Sequence, residues 1–101
     1  MNKILKDGIE VINNHEESDF ECYRVGYHFS YRDGKIRFNR TETYPTYEDY
    51  SDGGIGTKSH TSTMFEVEAT VEQYANLIIS YVRYRDEYER YAEYIEFRDI
   101  V

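Results

Sequence analysis

Strict alternation of apolar and polar side chains marks one segment of this chain above all others. Tyr23, Val25, Tyr27, Phe29 and Tyr31 alternate with Arg24, Gly26, His28 and Ser30, and after Asp33-Gly34 the alternation resumes through Ile36 and Phe38 to Thr43. A period of two sends successive side chains to opposite faces of a strand, and Asp-Gly is a favoured type I′ dipeptide, so the segment predicts a β-hairpin with a two-residue loop. That loop sets the register: Tyr31 faces Ile36 and Phe29 faces Phe38, which gathers the apolar residues of both strands on one face. The opposite face then carries Arg24, His28, Ser30, Arg32, Lys35, Arg37 and Asn39.

In the last third the period changes. Leu77, Tyr81, Tyr84, Tyr88, Tyr91 and Ile95 recur at intervals of three and four, and Val71, Tyr74, Ile78 and Val82 broaden the stripe. This spacing predicts an α-helix from Val71 to Arg98. Thr70 is its N-cap, Gln73 completes a capping box, and Glu72 suits the positive end of the helix dipole. Such a helix would be roughly 42 Å long at about 1.5 Å per residue. A compact chain of this size is only on the order of 30 Å across. The helix therefore either breaks near Arg85-Asp86-Glu87 or projects, and a projecting Tyr stripe would pair with a second copy.

Weaker signals complete the layout. Ile4, Leu5, Ile9 and Ile12 predict a short helix over Asn2 to Ile12, although Gly8 opposes it and Ile9-Glu10-Val11 could begin a strand. Phe65, Val67 and Ala69 predict a third strand over Thr63 to Ala69. Between Tyr44 and Ser62 no periodicity survives, and the only Pro and three of the six Gly mark a long loop. The expected architecture is one α+β domain over residues 1–101, in the order α-β-β-β-α, with a three-stranded antiparallel sheet packed against a long C-terminal helix.

Composition narrows the possible chemistry. The chain has 12 Tyr, 5 Phe and no Trp, so much of its potential core carries a hydroxyl that needs a partner. No 18-residue apolar run marks a membrane span, the N-terminus has no apolar leader region, and the single Cys22 fits a reducing, cytoplasmic setting. The net charge of −8 argues against a phosphate-binding surface as the main business of the domain. Bases still dominate from Phe20 to Arg40, where Arg24, Arg32, Lys35, Arg37 and Arg40 face only Glu21 and Asp33. Acids cluster at 16–21, 42–52 and 86–99.

Catalytic and cofactor motifs are missing. The stretch Gly53-Gly54-Ile55-Gly56-Thr57-Lys58-Ser59 has Thr57 and Asp52 where a phosphate loop needs Gly. Cys22 and His28 share a face of the predicted strand but stand about 20 Å apart at roughly 3.3 Å per residue. His15, His28 and His60 lack zinc spacing, and Asp49 and Asp52 lack the calcium-loop pattern. The chain is therefore expected to be no enzyme and to use no cofactor or metal. What stands out is Tyr interleaved with acid. Glu42, Tyr44, Tyr47, Glu48, Asp49, Tyr50 and Asp52 form one such stretch, and Tyr84, Tyr88 and Tyr91 repeat the chemistry among the acids of the helix. Tyr offers large contact area at low rotamer cost, so these residues are the candidate partner-binding set.

In size, acidity and α-β-β-β-α layout the chain resembles small phage-encoded anti-defence inhibitors, anti-CRISPR proteins among them. The resemblance implies a protein-binding inhibitor, in the host cytoplasm, whose acidic, Tyr-rich surface competes with DNA for a CRISPR effector or other defence nuclease. It carries no motif, so it assigns no individual residue. The alternative is a homodimeric structural or accessory subunit. Weak nucleic-acid binding through Arg24, Arg32, Lys35 and Arg37 is a third expectation.

Overall fold

Asn2 opens the first helix. Its side-chain oxygen accepts hydrogen bonds from the amides of Ile4 (2.8 Å) and Leu5 (3.3 Å), which satisfies two donors that have no partner within the helix. The computed structural model describes residues 2–15, 24–46, 56–87 and 95–100, with the side chains of the last segment through Arg98. Six elements follow one another: α1 (Lys3–His15), β1 (Arg24–Arg32), β2 (Lys35–Thr46), β3 (Gly56–Glu68), α2 (Val71–Glu87) and β4 (Ile95–Ile100).

The β1–β2 hairpin has the register its alternation predicts, with Tyr31 opposite Ile36 and Phe29 opposite Phe38. Asp33 and Gly34 both take positive φ, 54° and 73°, the conformation a type I′ turn demands. The start of α2 is equally legible. Gln73 accepts from the Thr70 amide at 2.8 Å, while the Gln73 amide donates to the Thr70 hydroxyl at 3.2 Å. This is the reciprocal capping box.

The sheet has four strands in the order β3-β2-β1-β4. β1–β2 and β2–β3 are antiparallel, but β4 lies parallel to β1, with Tyr27 opposite Ile95 and Phe29 opposite Phe97. The expected three-stranded antiparallel sheet is therefore a four-stranded mixed one. The long helix to Arg98 is corrected as well: α2 is described to Glu87, and residues 95–100 are strand. Ile95 fits the last step of the helical stripe, but Ile95-Glu96-Phe97-Arg98 also alternates, and the strand option buries Ile95 and packs Phe97 on Phe29 at 5.5 Å. The long projecting helix, on which pairing of two copies was expected to rest, is absent.

Two further boundaries move. β2 runs to Thr46, and β3 begins at Gly56 rather than Thr63, so most of the expected loop is strand. The extra part of β3 reads Gly56-Thr57-Lys58-Ser59-His60-Thr61-Ser62, polar on both faces, which leaves no apolar alternation to detect. A bulge between Phe38 and Asn39 admits one extra β3 residue, Met64.

Both helices pack on the same face of the sheet. Leu5, Ile9 and Ile12 of α1 and Tyr74, Leu77 and Tyr81 of α2 join Tyr27, Phe29, Tyr31, Ile36, Phe38 and Ile95 in one core. Gly8 explains its place in α1: a Cβ there would come within 2.8 Å of the Phe29 ring. Tyr74 settles its buried hydroxyl by donating to the carbonyls of Phe29 (3.2 Å) and Arg98 (2.8 Å), which ties α2 to β1 and β4. No described element covers the other face of the sheet.

Candidate functional site

β2 and β3 pair along their whole length, from Lys35 opposite Glu68 to Thr46 opposite Gly56. β1 accompanies β2 only as far as Arg24 opposite Thr43. Among the described residues, the far end of the β2–β3 ladder is thus a two-stranded arm. It holds Thr46 beside Gly56, and residues 47–55 connect those two positions.

Parity along β2 puts Arg40, Glu42 and Tyr44 on the helix-facing side. They lie opposite Ser62, His60 and Lys58 of β3. Arg40 is only 6% exposed. A guanidinium at such a depth needs partners. Arg40 is ion-paired with Glu42, and its Nε donates to the Tyr27 hydroxyl at 3.3 Å. The Glu42 carboxylate therefore works within the chain and anchors the arm to the core. Tyr44 is half-buried one step further out, across from Lys58.

Of the other candidates, Tyr84 lies near the end of α2. There it packs on the core and lines a cavity of about 770 Å³ with Asn2, Ile79, Ser80 and Arg83. It is not part of the arm. Tyr47, Glu48, Asp49, Tyr50, Asp52, Tyr88 and Tyr91 lie outside the described residues, as does Cys22. The structure therefore brings Glu42 and Tyr44 together and sets Tyr84 elsewhere. Arg40 was legible as an inward residue from the hairpin register, which puts it opposite Tyr27, but the sequence reading counted it only among the bases of its segment.

The face of the sheet away from the helices is dominated by hydroxyls and charges among the described residues. Asn39, 7% exposed, donates to Ser30 at 3.2 Å and accepts from Thr63 at 2.9 Å, so one amide links β1, β2 and β3. Thr41 shares a hydrogen bond with Thr61 at 2.9 Å and Thr43 with Ser59 at 3.3 Å. Near the turn, Glu66 accepts from Arg37 at 3.0 Å and from Lys35 at 3.5 Å, and these two cations hold its carboxyl below the usual range, Arg37 most strongly. In the middle of β1, His28 is half-buried. Burial lowers its pKa and Arg98 lowers it further, against an opposing pull from Glu96.

No Phe, Tyr or Trp of the described strands lies on this face, which leaves the half-buried His28 imidazole as its one described ring. Cross-strand pairing also cancels part of its positive charge. Among the described residues no three His, Cys, Asp or Glu converge as a metal site, and no helix is long and apolar enough to cross a membrane. Comparison with protein-family models, with curated proteins and with solved structures finds no match for this chain.

Proposed function

We propose that this chain is a protein-binding inhibitor or adaptor that uses the β2–β3 arm to engage a basic protein surface, of the kind that normally holds nucleic acid. The observation that carries the reading is the pairing of Thr46 with Gly56 at the end of the arm. Both ends of the segment bearing Tyr47, Glu48, Asp49, Tyr50 and Asp52 are thereby attached to a paired ladder, and Arg40 anchors the ladder to the core through Glu42 and Tyr27. Carboxylates offered in this way meet Lys and Arg where phosphates otherwise would, and the tyrosines add contact area that phosphates lack. With 20 acids against 12 bases, the whole chain steers towards a basic partner. A bacterial nuclease that acts in host defence is the partner class proposed.

The test begins with capture of the partner from bacterial lysate and compares the wild type with Glu48→Gln/Asp49→Asn/Asp52→Asn. The triple change should weaken binding by more than about tenfold, mostly through slower association, and added salt should do the same because charge steering is screened beyond about 10 Å at 0.1 M. Binding that survives the triple change within about twofold would remove the acidic arm from the interface.

A further inference from the structure

Among the described residues, the sheet face away from the helices is not uniform in charge. Beside the turn, Arg37 and Lys35 both reach Glu66 across strands, whereas Arg32 has only its exposed sequence neighbour Asp33, at 3.6 Å. Along the described parts of β1 and β4 no such cross-strand match is made: Arg24 stands at the start of β1, and Arg98 lies just beyond the Phe29–Phe97 pair on β4. Among the described residues Arg24 has no ionic partner, and Arg98 has only Glu96, two residues away on its own strand at 3.6 Å, with side chains 59% and 73% exposed. A pair so exposed is worth little and leaves the guanidinium available to a better acceptor.

Between these cations the strand carries Gly26. Gly in a strand interior costs stability, and it often marks a place where another group approaches the backbone. A Cβ at this position would meet nothing within 4 Å, so Gly26 is not there to make room for a neighbouring side chain. The bare backbone instead floors a trough of about 250 Å³, walled by Arg24, His28, Thr41, Glu96 and Arg98. Its size is below the range of pockets for drug-sized ligands and suits one compact group.

We propose that the trough over Gly26 binds an oxyanion, a phosphate or carboxylate group of a small ligand, held between the guanidinium groups of Arg24 and Arg98. Two guanidiniums outweigh the single Glu96 carboxylate, and planar forks suit either oxyanion. His28 adds a titrating contact. It faces Arg98 and Glu96 on β4, Arg24 on its own strand and Asn39 across on β2. Burial and then Arg98 depress its pKa and so favour the neutral imidazole, against the opposing pull of Glu96. A bound anion would stabilise the imidazolium, so occupancy should raise that pKa. The site is separate from the arm, and its failure would leave the arm reading untouched.

The experiment is an amide and imidazole NMR titration of the full chain with inorganic phosphate, with acetate as the carboxylate probe, and with chloride at matched ionic strength. Phosphate or acetate should shift Gly26 and His28 saturably and raise the His28 pKa, and chloride should not. The tighter of the two probes identifies the natural head group. His28→Gln assigns the signal against His15 and His60. Arg98→Gln, on an exposed side chain, should weaken binding about tenfold. Gly26→Val places a good strand former in open space and should abolish binding with the fold intact. The proposal is overturned if neither probe saturates, if chloride reproduces the shifts, or if a folded Gly26→Val protein binds as well as the wild type.

Discussion

The two faces of the one sheet share every backbone bond and differ only in side chains. Towards the helices, Phe29 meets Phe38 at 4.5 Å and Phe97 at 5.5 Å, and Phe38 meets Phe65 at 5.4 Å, so rings from all four strands form one aromatic layer. On the other side, Ser30, Asn39 and Thr63 join three strands through hydroxyls and one amide. Apolar burial is proportional to area and forgiving of direction, whereas hydrogen bonds between hydroxyls need a set geometry and bring only about 0.5–1.5 kcal/mol each. One face thus holds the fold together while the other is left free to vary or to bind.

That contrast ranks what substitutions should do. Phe29→Ala or Phe38→Ala should lose about 3–5 kcal/mol in chemical denaturation, since both rings are fully buried. A loss under about 1 kcal/mol at both would show that the aromatic layer does not carry the fold. Gly8→Ala comes next. Helix propensity alone would make it stabilising by about 1 kcal/mol. The Phe29 ring is packed against Phe38 and Phe97, so shifting it is costly and a net destabilisation of about 1–2 kcal/mol is expected. A gain in melting temperature would mean that the ring moves aside. Tyr74→Phe keeps the ring but strips its hydrogen bonds to Phe29 and Arg98, and it should cost about 1–2 kcal/mol in the same assay.

The smallest effect belongs to the outer face. Arg37 and Lys35 depress the Glu66 pKa, so the stabilisation from this cluster is present above the ordinary carboxylate value of 4.5 and fades as pH falls through the lower, folded value. Glu66→Gln should remove that acid-dependent slope and change little near neutrality, because the Glu66 side chain is exposed and water screens its ion pairs. A large loss of stability at pH 7 would show that the outer face contributes to the fold and would erase the distinction between the faces.

What was legible in the sequence follows the same division. The hairpin could be read because each strand shows one apolar and one polar face, and because Asp33-Gly34 dictates its turn. The Thr70–Gln73 capping box was equally local. The first half of β3 was invisible, since a strand polar on both sides has no hydrophobic period. β4 was misread because Ile95 serves a helical stripe and a strand alternation equally well, and only contact with β1 decides between them. The candidate site was read unevenly. Glu42 and Tyr44 do share a face of β2, Tyr44 on the arm and Glu42 just before it, but the use of Glu42 to hold Arg40 depends on a buried pairing along β2. The trough could not be foreseen at all: with residues 95–98 read as helix, nothing places Arg98 beside His28.

The parallel seam between β1 and β4 also bears on how the protein comes into being. Tyr27 and Phe29 wait for Ile95 and Phe97, partners drawn from the opposite end of the sequence. On a ribosome that adds about 5–20 residues per second, the β1–β2 hairpin therefore spends seconds with one edge unpaired and its aromatic layer open. Pairings so distant along the chain slow folding and lengthen exposure to aggregation. The newborn protein is most vulnerable just before β4 arrives, and a chaperone that shields aromatic strands would find its substrate in that interval.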